Sequence, residues 1–128
     1  MSRTSLRTPL ARVLGHGSAK EGVGHWWTQR LTAVALVPLT VWFVLGLFSL
    51  PSLDYATAHG WLAGPWNSIG ALLLVLTLAW HSSLGVQVVI EDYVHDHALK
   101  VIALVVSKFA HVVLAAVGAL ALLRIGLA

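Results

Sequence analysis

Residues 31–50 read LTAVALVPLTVWFVLGLFSL, a run without a single Asp, Glu, Lys or Arg. The charge-free zone extends from Arg30 to Asp54. As a helix rising 1.5 Å per residue, such a run covers about 30 Å, the thickness of a bilayer's hydrocarbon core. Pro38 lies inside it and is predicted to kink or loosen the helix, a defect that membrane bundles tolerate. Pro51 marks the exit.

Two further spans follow from the same criterion. Residues 69–90 carry no Asp, Glu, Lys or Arg but include Trp80, His81, Ser82, Ser83 and Gln87. Residues 101–123 carry Lys108 and His111, and Arg124 stops the run. The connection PSLDYATAHGWLAGPWNS (51–68) reads as an interfacial loop, rich in Pro, Gly, Ser and aromatics. EDYVHDHALK (91–100) reads as a polar loop. The predicted fold is therefore all-α: a single membrane-anchor domain over 1–128, with three transmembrane helices after a basic flank, 1–30.

Composition agrees. Only 10% of the 128 residues are charged and 58% are hydrophobic, with a mean hydropathy of +0.83. A soluble domain carries roughly 25% charge, and a chain this short needs more polar cover than this in water. The absence of cysteine excludes disulfides, thiolate metal sites, Cys-ligated clusters and covalent haem attachment. The net charge of +3 is too sparsely spread for nucleic acid and reads as topology. Five of the eight basic residues (Arg3, Arg7, Arg12, Lys20 and Arg30) precede the first span. The loop at 51–68 has none, so the N-terminus is expected in the cytoplasm. Leu6, Leu10, Val13 and Leu14 recur at helical spacing and suggest a short surface helix at the headgroups. Gly15, Gly17, Gly22 and Gly24 then interrupt regular structure.

A three-span bundle without a soluble domain suits a subunit of something larger. No HExxH, GxSxG or GxxxxGK[ST] motif is present. His81 stands near the middle of an apolar span, where a polar group is costly without a partner. Either it is hydrogen-bonded to a neighbouring helix, or one ring nitrogen holds a metal while the other is hydrogen-bonded. Gly85, one turn on, would let a flat macrocycle approach, and a non-covalent b-type haem fits a chain without cysteine. One histidine supplies one axial ligand, so a second must come from elsewhere in this chain or from a partner. His111 is another candidate, although a hydrogen bond within the bundle is the preferred reading for it.

Glu91, Asp92 and Tyr93 stand where the second span leaves the membrane. Asp92 lies eleven residues beyond His81, about three turns, on nearly the same face. Tyr93 is either an interfacial anchor or, beside a carboxylate, a hydrogen-bonding and protonating group for a quinone carbonyl. Arg30 follows His25, Trp26 and Trp27. It is either a positive-inside anchor or a fork for a haem propionate or a quinone-site water. His95 and His97 read as solvated loop residues, and His16 and His59 show no metal-like spacing.

GSAKEGVGHWWTQRLTAVALVPLTVWF (17–43) and HSSLGVQVVIEDYVHD (81–96) closely resemble the hydrophobic membrane anchor subunit of bacterial succinate dehydrogenase. The resemblance covers residues 15–111, and its most specific part runs from His81 to Tyr93. It implies a complex with a flavoprotein subunit, an iron–sulfur subunit and a second membrane anchor in the bacterial cytoplasmic membrane. It further implies one haem b shared between the anchors, with His81 as this subunit's axial ligand. Tyr93 would hydrogen-bond ubiquinone with Asp92 beside it, and Arg30 would lie near the haem propionates and the quinone site. The alternatives are a fumarate reductase anchor and a haem-free structural anchor.

Overall fold

The computed structural model describes residues 8, 10, 13 and 22–127. Leu10 and Val13 are helical and exposed. The remainder of the expected surface helix, including Leu6 and Leu14, lies outside the described residues, as do Arg3, Arg7, Arg12, Lys20, Gly15, Gly17 and His16. Four helices follow: α1 (Val23–Phe48), α2 (Tyr55–Ala63), α3 (Pro65–Tyr93) and α4 (His97–Gly126). The three long ones have 26, 29 and 30 residues and are apolar enough to cross a membrane. At 1.5 Å per residue they measure about 39–45 Å, so their ends project beyond the hydrocarbon into the headgroups.

The helices are longer than the apolar runs, because hydropathy marks the bilayer and not the helix. The first was expected to begin at Leu31 but begins at Val23, so His25 to Arg30 are helical. Gly22, at φ 130°, is the break that precedes it. The helix also continues through Pro38, which removes a backbone donor without ending it. The expected loop at 51–68 contains α2. Asp54 caps that helix by accepting from the Thr57 amide at 2.9 Å. Pro65 starts α3 at a position where its missing N–H is no loss. The expected polar loop at 91–100 shrinks to Val94–Asp96. Glu91, Asp92 and Tyr93 form the last turn of α3, and Asp96 caps α4 through the Leu99 amide at 2.7 Å. His97 is thus the first residue of α4, and that helix runs past Arg124 to Gly126.

The Asp54 carboxyl is held at about 2, against an ordinary 3.8. The Ser52 hydroxyl is the main cause, followed by the Thr57 amide and hydroxyl, all of which favour the carboxylate.

The central helix α3 packs along both α1 and α4, and both flanking helices run antiparallel to it. Thr32 meets His81 near the middle of α3, and Trp42 meets Gly70 near the start of α3. Ser82 faces His111 on α4, and Val75 faces Gly118. Small residues set these approaches, as is usual where lipid supplies no hydrophobic drive between helices. A Cβ at Gly70 would stand 2.5 Å from the Trp42 ring, and one at Gly118 would stand 2.8 Å from Val75 Cγ1. The indoles of Trp42 and Trp61 stack with centroids 5.6 Å apart, locking α2 onto α1. Asn67 and Ser68 donate to the carbonyls of Trp61 and Leu62 at 2.8 and 2.5 Å, tying the end of α2 to the first turn of α3.

Ala71 is the only buried residue among those described. Many apolar side chains of all three long helices are exposed, a surface that lipid or neighbouring subunits can cover.

Candidate cofactor site

His81 sits near the middle of α3, half-buried. Its Nδ1 lies 2.9 Å from the Thr32 hydroxyl on α1. That hydroxyl lies 2.8 Å from the Thr28 carbonyl and 3.1 Å from that of Gln29. A carbonyl only accepts, so the hydroxyl proton goes to the backbone and its oxygen is left as an acceptor. This favours the tautomer in which Nδ1–H donates to Thr32 and the lone pair is on Nε2. Among the described residues Nε2 has no hydrogen-bond partner. This is the arrangement of a metal-ligating histidine, one nitrogen held by an outer partner and the other free.

The donor set fits a haem better than a bare ion. No group of three or more His, Cys, Asp or Glu gathers among the described residues. An iron already held by a macrocycle asks the protein only for axial nitrogens. His111 does not offer a second one here, because both its nitrogens are engaged. Its Nδ1 lies 2.7 Å from the Ser107 carbonyl and its Nε2 lies 3.1 Å from the Ser82 hydroxyl.

Beside α3, a cleft of about 700 Å³ opens between the start of α1 and the last turns of α3. His25, Gln29, Arg30, Gly85 and Glu91 help line it. Gly85 leaves it open: a Cβ there would meet only Gln29 Nε2, at 3.8 Å. Two polar atoms, His25 Nε2 and Gln29 Oε1, are buried and lack a partner. Each costs roughly 1–3 kcal/mol if left so, so the wall of the cleft carries unsatisfied polar groups. Four residues apart on α1, His25 and Gln29 share one face, a spacing readable in the sequence. What the sequence does not disclose is that this face turns into a cleft. Arg30 is exposed, and its guanidinium stands 5.4 Å from the centre of the Trp26 ring.

Asp92 and Tyr93 do not line this cleft. They lie exposed at the end of α3, where the Tyr93 carbonyl is 3.0 Å from His95 Nδ1. Glu91 links the two zones. It accepts from Gln87 at 2.8 Å through its carboxylate, and from Lys100 on α4 at 2.9 Å through its carbonyl. The structure thus joins His81 to Thr32 and sets Arg30 into the cleft, and it leaves Tyr93 and Asp92 at the exposed helix end. Lys108 borders a separate cavity of about 530 Å³ that also touches Thr32, Trp80, Ser83 and His111.

These features define a polytopic helical membrane protein with a histidine held across helices at mid-span and a polar cleft nearer one end. Residues 4–122 match the succinate dehydrogenase/fumarate reductase transmembrane subunit family, and the chain belongs to it. It is 36% identical over 94 residues to a succinate dehydrogenase hydrophobic membrane anchor subunit of Rickettsia bellii, covering 73% of this chain and 75% of the relative. A protein of that name from Paracoccus denitrificans is 30% identical over 120 residues, covering 94% and 92%. A succinate dehydrogenase membrane anchor subunit of Reclinomonas americana is 29% identical over 96 residues, covering 66% and 73%. No solved structure gives a significant match.

Proposed function

We propose that the chain is the non-catalytic hydrophobic anchor of a bacterial succinate dehydrogenase. It would hold the flavoprotein and iron–sulfur subunits to the cytoplasmic membrane together with a second anchor. His81 would hold haem b through Nε2, together with a residue of the sister anchor. A haem bound there would supply one-electron redox chemistry. The observation that supports this reading is the His81–Thr32 contact at 2.9 Å, which favours a proton on Nδ1 and would leave Nε2 for iron.

Around that group the chain's own residues bind and orient. Arg30 faces an anionic propionate or the edge of the quinone site, and the unpartnered His25 Nε2 and Gln29 Oε1 add polar contacts in the same cleft. At the exposed end of α3, Tyr93 donates its phenolic proton to a ubiquinone carbonyl, with Asp92 beside it. Together with water they pass protons to the quinone as electrons arrive from the iron–sulfur subunit. The matched family also covers fumarate reductases. A fumarate reductase anchor would differ in the quinone bound and in the direction of turnover.

The test is purification of the intact complex through a tag on this chain. Three co-purifying subunits and a haem b spectrum are expected, and His81→Ala should remove the haem band. An unchanged haem content in that variant would overturn the ligand assignment.

A further inference from the structure

Resting on the reading of His81 as an iron ligand, we infer that Thr32 is the positioning residue that fixes this imidazole. It sets which nitrogen is free, which way the ring faces and how strongly that nitrogen donates. The two residues lie on different helices, 49 positions apart in sequence. Thr32 is half-buried. Its proton is directed to the backbone of the preceding turn of α1 at 2.8 Å, so the oxygen facing His81 is an acceptor. A valine in its place keeps the shape and removes that acceptor. Nδ1–H would then lose its partner in an apolar interior, or the proton would move to Nε2 and remove the lone pair the iron needs.

The chemical identity of the acceptor also matters. Carboxylates and backbone carbonyls are the usual outer partners of metal-bound histidine. A carboxylate draws the Nδ1 proton toward itself and makes the other nitrogen a stronger donor, which favours the ferric state. A neutral hydroxyl, whose own proton is already given to a carbonyl, pulls weakly. Thr32 therefore holds the ring in place while leaving it a modest donor, and so keeps the potential of the bound haem higher than an aspartate would. Because the bond joins α1 to α3, it also ties the ligand's orientation to the helix that carries Arg30 and the cleft.

The experiment uses the whole purified complex with haem bound. Thr32→Val, Thr32→Ser and Thr32→Asp are compared with His81→Ala and with Thr40→Val, an exposed threonine of the same helix. Haem per complex, the low-spin ferric EPR signal and the haem midpoint potential are read for each. Thr32→Val should weaken haem retention by about ten- to a hundredfold, the usual range for an outer-shell partner. It should also broaden or shift the EPR signal. Thr32→Ser should behave as the parent, Thr32→Asp should lower the potential, and Thr40→Val should change nothing. If His81→Ala loses haem while Thr32→Val and Thr32→Asp both keep the parent's retention, signal and potential, the positioning role is wrong and the ligand assignment stands. If His81→Ala keeps its haem, the ligand assignment itself fails. Should Thr32→Val not assemble, the Thr32→Ser and Thr32→Asp pair decides, since equal potentials in those two would overturn the role.

Discussion

Ser82 and His111 meet across the α3–α4 interface at 3.1 Å, hydroxyl to Nε2. The histidine's other nitrogen lies 2.7 Å from the Ser107 carbonyl, so Nδ1–H donates there and Nε2 accepts from Ser82. His111 is thus a structural bridge on α4, and its partner Ser82 stands one residue along α3 from the proposed iron ligand. His111→Leu should weaken the helix pair by about 0.5–2 kcal/mol, the range of interhelical hydrogen bonds in membranes. Haem content should stay at the parental level. Denaturation of the purified complex in graded detergent, with the haem spectrum read beforehand, checks both points.

Gly70 admits the Trp42 ring, and its missing Cβ would stand 2.5 Å from that ring. Gly70→Val should destabilise the α1–α3 contact by roughly 1–3 kcal/mol, as overpacking does. Trimming the indole in a Gly70→Val/Trp42→Leu double variant should recover part of the loss. Thermal dissociation of the complex reads the two single variants and the double one. Strict additivity would deny the contact.

Tyr93 is 77% exposed, which suits a group awaiting a quinone and a partner subunit. Tyr93→Phe should lower succinate–quinone reductase activity by at least about tenfold, in line with loss of a positioned proton donor. Succinate oxidation by a soluble dye acceptor should continue. Asp92→Asn should show the same split, less severely. Equal loss of both activities would assign these residues to assembly instead.

The cap of α2 makes a pH prediction outside the membrane spans. The folded carboxyl of Asp54 titrates at about 2 against an ordinary 3.8. Its contribution is therefore complete above the ordinary value and is lost as pH falls through the lower one. Carboxyl NMR in detergent micelles should give a midpoint near 2. Ser52→Ala should move that midpoint toward the ordinary value more than Thr57→Val does, because the Ser52 hydroxyl is the main cause. Between pH 5 and 8 the cap should be insensitive to pH.

Alternate crossing by α1, α3 and α4 would put Val23 and Gly126 on opposite sides of the bilayer, and the basic flank predicts a cytoplasmic N-terminal side. A C-terminal alkaline phosphatase fusion should be active and a C-terminal cytoplasmic fluorescent reporter dark. The reverse pattern would invert the topology.

The three spans were legible because residues 31–53 and 69–90 contain no charge, and a bilayer imposes that pattern directly. Helix ends were less legible. Hydropathy locates the membrane, whereas Asp54, Pro65 and Asp96 act through capping geometry that works equally well in the headgroups. Those caps were readable as local signals, and α2 was missed because its glycine and aromatics read as loop. His81 drew attention through its depth in an apolar run. Thr32 did not, since its role depends on how two helices register across a separation no local pattern encodes. The buried face shared by His25 and Gln29 lay within reach of a periodicity argument, but its closure against α3 did not.

Among the described residues the three long helices bury a single alanine, so much of their apolar surface is left for lipid or other chains to cover. The subunit's lifetime in the cell is then a matter of stoichiometry. A copy made in excess of the chains that cover it would present open helix faces to the membrane's proteases, so its abundance should follow that of its scarcest companion.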